Sequence, residues 1–486
     1  MFEFKKRKPE KVFLTSNYGM YTYSDLDRFS AYFRHVLETH ADSLSWPVAF
    51  LSQSSDVLIF ALAACWKLGV PIIPLSTQLT DKELQNRIEA LNPALIVTDV
   101  ANRHRVQDLD SITMDDNFFL NAFTFDPKKS APVEDHPISD DAVFGYFFTS
   151  GTTGSPKIVP LKRRQLRFAA KASAQNFKPA SNHYWLLCLP LNHIGGISII
   201  FRSLEYGSAI YRLDEFHEEM IKEFLGENLQ FQAASLVPTM LKRLLNDPLF
   251  KTHHQFKAIL MGGGPYSEAL VRKAVERGIP IVSSYGMTET CAQIVANPMA
   301  APSGQYTPLK SVGKPLYPNE LVIRNEKGKR AGVNQSGTIW LRGPQVFDGY
   351  FQASDNEGKF DGQGWFNTGD FGHLNGFGQL FVESRRVDLI VTGGENVNPV
   401  EVEQVLEQIP AIKEAAVIGV PDDEWGQRVT AFVTLTNGAE PVYETIKTDL
   451  KKRIEPFKIP KEIHVVTELP KNELGKVKKW ELNRLA

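Results

Sequence analysis

The chain has 486 residues, 43% of them hydrophobic and 23% charged, with a formal net charge of −2. That length exceeds one ordinary core, and a near-neutral balance excludes the global field of a nucleic-acid or membrane-surface binder. Three scattered cysteines, Cys65, Cys188 and Cys291, suggest neither a disulfide framework nor a cysteine metal site. The basic N-terminus lacks a following apolar stretch, so no secretory signal is expected, and a reducing cytoplasmic setting fits. The apolar run Val57–Trp66 is too short to span a bilayer and reads as a buried helix, so no transmembrane segment is expected.

In chain order, Ser24 is expected to cap a helix whose apolar face carries Phe29, Phe33, Val36 and Leu37. Val48–Leu51 reads as a strand, 55–68 as a helix stopped by Gly69, and Val70–Leu75 as a strand. A helix over 81–91 and the strand Ala94–Thr98 follow. This alternation predicts βαβ units with a parallel sheet covered on both faces. A polar connection at 125–141 leads into the apolar strand Val143–Phe148. From about 305 to 386 short strands such as Leu321–Arg324 and Gly337–Arg342 predict a small β-rich subdomain. Beyond it an α+β pattern predicts a compact unit, with a helix near 399–408, strands at Ala415–Gly419 and Thr430–Thr434, and a helix over 442–454. The fold class is therefore α/β: an N-terminal domain, 1–386, of parallel and mixed sheets with helices plus the β-rich subdomain, and a small α+β C-terminal domain, 387–486. The segment 451–486 holds ten Lys or Arg against five Glu, which suits either a solvated surface or a phosphate-bearing partner.

After the strand Val143–Phe148 comes Thr149-Ser-Gly-Thr-Thr-Gly-Ser-Pro-Lys157. Glycines permit a tight backbone, hydroxyls and N–H groups can donate to phosphate oxygens, and Lys157 adds charge. The spacing is not that of a Walker loop, and composition alone leaves a plain polar turn equally open. The loop resembles the phosphate-binding motif of the adenylate-forming superfamily, which includes acyl-CoA synthetases, adenylation domains and luciferases. Further motifs of that family follow in order: Pro190–Gly196, Met261–Pro265, Ser283–Thr290, Trp365–Asp370, Arg385–Asn396 and Pro470–Lys476.

The resemblance implies an AMP-forming acid–thiol ligase that uses ATP, Mg²⁺ and coenzyme A. Thr149, Ser150, Gly151, Thr152, Thr153, Gly154 and Lys157 would hold phosphate. His193 would lie at the acyl carboxylate. Gly263, Gly264 and Pro265 would back the adenine, on which Tyr285 would stack beside Gly286. Thr288 would bond the α-phosphate, and Glu289 would ligate Mg²⁺. Asp370 would accept the ribose hydroxyls, with Arg385 nearby. Gly393 and Gly394 would leave room for the pantetheine arm. Lys476 would stabilise charge during adenylation and leave when the C-terminal domain rotates. Val387 stands at the hinge, where the family usually has a polar residue.

Within the superfamily, Leu189–Ser203, Gly286–Gln293 and Gly393–Asn396 are most similar to the 2-succinylbenzoate–CoA ligases of menaquinone biosynthesis. There Arg202, nine residues after His193, would meet the substrate's second carboxylate. The alternatives are another acyl- or aryl-CoA synthetase, or a stand-alone adenylation domain loading a carrier protein. The expected partners are a small carboxylic acid, ATP and CoA, with no nucleic acid; a homo-oligomer is left open.

Overall fold

The computed structural model describes residues 9–40, 46–126, 138–149, 156–177, 183–299, 309–385, 390–392, 395–422, 425–436, 443–473 and 475–485. The expected alternation of strand and helix builds two large sheets. One has six strands in the order Ser111–Met114, Leu95–Asp99, Val48–Leu51, Ile72–Leu75, Val143–Phe148, Ile158–Lys162. Its first five strands are parallel and the last is antiparallel. The other has nine. At its centre Ile281–Met287, Ala258–Met261, Phe231–Leu236, Tyr184–Leu187, Ala209–Arg212 and Val12–Thr15 run parallel in that order.

Local signals mark the helix ends. The helix Asp56–Leu68 is capped by the Ser55 side chain, which accepts from the Leu58 N–H, and ends at Gly69 with φ +77°. The helix Asp81–Leu91 opens on a Thr80–Glu83 capping box. One expected cap shifts. The first helix spans Tyr23–His40, so Ser24 lies inside it. Its entry is held by Thr22 instead: the Asp25 N–H donates to Thr22 Oγ1, and Asp25 Oδ2 accepts from the Thr22 N–H at 2.7 Å. The buried face begins at Tyr23, directly after Thr22, ahead of the expected face that starts at Phe29.

The helix Ile194–Tyr206 lies between the two large sheets and is buried along nearly its whole length. Phe201 anchors it, with its ring 4.6 Å from Trp66 and 4.7 Å from Phe144, the latter edge-on. This packing fixes the rotation of the helix and so the direction in which Ser198 and Arg202 point. A charged tie also joins the sheets. Arg212, ending a strand of the larger sheet, donates from Nε to Asp56 Oδ1 at 2.6 Å, and Ser16 donates to Asp56 Oδ2 at 2.6 Å.

The β-rich texture beyond 305 becomes a four-stranded antiparallel sheet, Glu320–Arg324, Gly337–Arg342, Phe366–Leu374 and Leu380–Arg385. A smaller five-stranded unit follows. Its long hairpin Ile412–Asp422 and Gly426–Leu435 is flanked by Ile390–Thr392, Glu395–Val397 and Glu462–Val465, and by the helices Pro399–Leu406 and Tyr443–Leu450. It has its own core around Val402, Leu406, Val417, Ala431 and Ile446. The boundary expected at 386/387, and with it Val387, lies outside the described residues. Among the described residues no helix is long and apolar enough to cross a membrane.

Removing one member of the Arg212–Asp56 tie leaves a buried charge without its partner. Arg212→Ala is expected to lower the unfolding free energy by about 3–5 kcal/mol, read from urea denaturation.

Candidate active site

Parallel strands end on a common edge, and the turns that follow them open together. The strand Tyr184–Leu187 leads to Pro190–Gly196, Phe231–Leu236 to Val237 and Pro238, Ala258–Met261 to Gly262–Pro265, and Ile281–Met287 to Thr288–Thr290. Neighbouring strands pair Leu236 with Met261 and Met261 with Ser283, so these turns are side by side. These four turns, drawn from the stretch Pro190–Thr290, therefore occupy one edge of one sheet.

The phosphate-loop candidate is the turn of an antiparallel hairpin, with Phe148 opposite Ile158. Its neck is closed by the Thr149 N–H donating to the Lys157 carbonyl at 2.9 Å and the Lys157 N–H donating to Thr149 Oγ1 at 3.2 Å. Ser150, Gly151, Thr152, Thr153 and Gly154 lie outside the described residues. The Lys157 ammonium pairs with Asp355 Oδ1 at 3.1 Å and lies over the Tyr350 ring, 4.8 Å from its centre.

Tyr350 in turn donates its hydroxyl to Glu289 Oε1 at 2.7 Å. The main chain of Glu289 is held as well, its carbonyl accepting from the Phe347 N–H at 2.8 Å. Glu289 sits in a short 3₁₀ turn, Thr288–Thr290, largely shielded from solvent. The turn begins where Met287 pairs with Ala292 in a tight hairpin. Gly286 is obligatory there: a Cβ on it would lie 1.8 Å from the Ala292 carbonyl oxygen. That backbone contact requires a glycine here whatever ligand the turn meets.

On the other side of Gly286, Tyr285 donates its hydroxyl to Asp370 Oδ2 at 2.7 Å, and both residues are buried. Asp370 lies in the strand Phe366–Leu374 and is in register with Arg385, whose side chain is outside the described residues. A continuous chain of contacts therefore runs from Asp370 through Tyr285, Gly286 and Glu289 to Tyr350 and Lys157. Gly263, Gly264 and Pro265 lie beside it, where the Ser284 hydroxyl donates to the Met261 carbonyl at 2.9 Å. Gly393 and Gly394 are outside the described residues.

Lys476 arrives from the small C-terminal unit. Its loop is braced internally: the Lys476 N–H donates to Asn472 Oδ1 at 2.9 Å, and the Asn472 N–H donates to the Lys476 carbonyl at 2.9 Å. The loop docks on the large domain at two points. Gly475, with φ +72°, lies so close to Thr239 that a Cβ would come within 2.9 Å of its hydroxyl. Glu473 Oε2 accepts from Asn192 Nδ2 at 2.6 Å and lies 3.6 Å from His193 Nε2. Thr239 and Asn192 both follow strands of the larger sheet, so the lysine loop meets the same edge as the other motifs.

Arg202 is 4% exposed and has no carboxylate partner among the described residues. Its Nη2 donates to Ser198 Oγ at 2.9 Å, its guanidinium lies over the Trp185 ring at 4.7 Å, and its Nη1 has no hydrogen-bond partner. Burial pushes its pKa down to about 10. It lines a cavity with Ser198, Phe201, Cys291 and Gln293, and the Gln293 Oε1 is likewise unpaired. A surface position on the helix, open to a reading of the sequence alone, does not apply.

Tyr350, Asp355, Asn192, Thr239 and Glu473 were not legible from the sequence. Each acts through a partner 61 or more residues away (Tyr350 on Glu289, 61 residues; Glu473 on Asn192, 281 residues), and no local pattern marks such a pairing. Among the described residues no group of three or more His, Cys, Asp or Glu could hold a metal by itself. A lone carboxylate such as Glu289 still fits Mg²⁺, which completes its shell from phosphate and water oxygens.

The AMP-binding enzyme family model matches residues 1–351, and the AMP-binding enzyme C-terminal domain matches residues 401–476. The chain is similar to a 2-succinylbenzoate–CoA ligase of Oceanobacillus iheyensis, 35% identical over 449 residues, covering 90% of this chain and 88% of that one. It is similar in structure to o-succinylbenzoate CoA synthetase from Bacillus subtilis in complex with the acyl-adenylate intermediate OSB-AMP, with a TM-score of 0.88 and 32% identity, covering 98% of this chain and 96% of that one. ATP-bound MatB from Rhodopseudomonas palustris is similar with a TM-score of 0.90 and 26% identity, covering 99% and 97%. With matched motifs on one sheet edge and relatives aligned along nearly the full length, the chain belongs to the AMP-binding enzyme family.

Proposed function

We propose that the chain is an AMP-forming acid–CoA ligase that converts 2-succinylbenzoate to 2-succinylbenzoyl-CoA in menaquinone biosynthesis. The observation that carries the acid's identity is Arg202, a buried guanidinium without a carboxylate, turned to a cavity beside Ser198 and Gln293. Burying a cation unpaired is costly, and an acidic ligand group removes that cost. The acid has two carboxylates: one reacts, and the second suits Arg202.

In the first half-reaction a carboxylate oxygen attacks the α-phosphorus of ATP, and the bond to the β-phosphate breaks to release pyrophosphate. His193 orients the carboxylate, Thr288 bonds the α-phosphate, and Lys476 offsets the charge that grows as the bond forms. Thr149, Lys157 and residues 150–154 hold the departing phosphates. Tyr285, Gly263, Gly264 and Pro265 bracket the adenine, while Asp370 and Arg385 take the ribose. Mg²⁺ at Glu289 would supply further neutralisation of phosphate charge. In the second half-reaction the thiol of CoA attacks the acyl carbon and AMP leaves, with Gly393 and Gly394 beside the pantetheine arm. Between the two, the unit 387–486 rotates about a hinge near Val387 and withdraws Lys476. The reading includes a cytoplasmic location, consistent with three buried free cysteines, and allows a homo-oligomer.

Lys476→Ala is expected to abolish adenylation, read as acid-dependent pyrophosphate exchange, while sparing thiolysis of supplied acyl-adenylate. Equal loss in both would contradict a lysine that serves only the first step. Arg202→Leu should raise KM for 2-succinylbenzoate by roughly 10- to 150-fold, the worth of a charged hydrogen bond, with little change in KM for ATP. An unchanged KM for the acid would remove this assignment.

A further inference from the structure

The bond between Glu473 and Asn192 joins two functional loops across the two domains. Asn192 and His193 immediately precede the helix Ile194–Tyr206, which carries Ser198 and Arg202. Glu473 lies three residues before Lys476 in a loop closed at both ends, by the Lys471–Val477 bridge and by the Lys478 N–H donating to the Pro470 carbonyl at 2.8 Å. With the Asn472 braces, these bonds tie the backbone of Lys476 to the loop that carries Glu473.

The surroundings keep Glu473 ionised. Burial alone would raise its pKa, but the His193 ring 3.6 Å away, the hydrogen bond from Asn192 and the charge of Arg87 hold it below the ordinary carboxylate range. Arg87 comes from the helix Asp81–Leu91 and stacks on Phe148, 4.7 Å from the ring centre, at the mouth of the phosphate hairpin. Glu473 thus touches the acyl-side loop and feels the charge of Arg87.

Among the described residues, Lys242 also reaches Glu407 at 3.5 Å with both side chains partly exposed, Gln404 Nε2 donates to the Tyr266 carbonyl at 3.2 Å, and Asn398 Nδ2 donates to the Glu383 carbonyl at 3.1 Å. Exposed pairs of that kind contribute little. The Glu473 bond is short, charge-assisted and 15% exposed on the carboxylate side.

We propose that Glu473 is a positioning residue: a latch that seats the Lys476 loop on the acyl-pocket loop for adenylation and releases when the small domain turns. It rests on the ligase reading above and adds to it the contact that selects the first conformation. Acting through Lys476, it has no part in thiolysis.

The test compares both half-reactions in the full-length chain at saturating ATP. Glu473→Ala is expected to slow acid-dependent pyrophosphate exchange by about 10- to 100-fold, as for a lost charged hydrogen bond, and to leave thiolysis of supplied acyl-adenylate within about twofold. Glu473→Gln keeps an oxygen that can accept from Asn192 and should recover part of the exchange rate. In a Lys476→Ala background, Glu473→Ala should cost nothing more. Full exchange in Glu473→Ala, or equal loss in both half-reactions, overturns the latch. Lys476→Ala alone separates the two ideas. If it loses exchange while Glu473→Ala does not, the latch fails and the ligase reading stands. If it keeps exchange, both fail.

Discussion

Parallel strands connect only by crossovers, so every turn that follows one opens on the same edge of its sheet. That constraint organises this molecule. Pro190–Gly196, Val237–Thr239, Gly262–Pro265 and Thr288–Thr290 are remote in sequence, and they become neighbours because the strands before them pair in register. Everything that reaches the site from elsewhere is built onto this edge. Tyr285 brings in Asp370 from the antiparallel sheet, Tyr350 brings Lys157 to Glu289, and Asn192 receives the lysine loop of the small domain.

The contacts that assemble the site differ in kind from those that hold the fold. The helix Ile194–Tyr206 is fixed by aromatic packing of Phe201 between Trp66 and Phe144, contacts that cannot rearrange without opening a cavity. The small domain, by contrast, has its own core and meets the large one mainly through polar contacts. Such an interface suits the proposed ligase, whose two half-reactions would each use their own arrangement. In that proposal the rigid part holds the acyl pocket and nucleotide groups, and the separable part carries the lysine.

Much of this was legible in the sequence, for physical reasons that can be named. Ser55, Gly69 and the Thr80–Glu83 pair mark helix ends through local hydrogen bonds, and local chemistry is what a sequence records. The motifs carrying Glu289, Asp370 and Lys476 were readable because each packs several special residues into a short run. What stayed hidden is pairwise and distant. Nothing around Tyr350 says that its hydroxyl meets a carboxylate 61 residues earlier, and nothing around Glu473 points to Asn192. Gly286 teaches the converse: its place in a motif suggests a ligand, yet the carbonyl of Ala292 is enough to require it. Arg202 shows how burial turns an ambiguous helix residue into a specific one.

The central claim is that one nucleotide edge and one buried, acid-free arginine together make a ligase for a dicarboxylic aromatic acid. The most direct measurement is CoA-thioester formation by the purified chain with ATP and Mg²⁺, offering 2-succinylbenzoate beside a medium-chain fatty acid and benzoate at equal concentrations. The expected outcome is AMP-coupled thioester from 2-succinylbenzoate with a kcat/KM far above that for either monocarboxylate. Thioester formed as readily from the fatty acid or benzoate, or none from 2-succinylbenzoate, would contradict it.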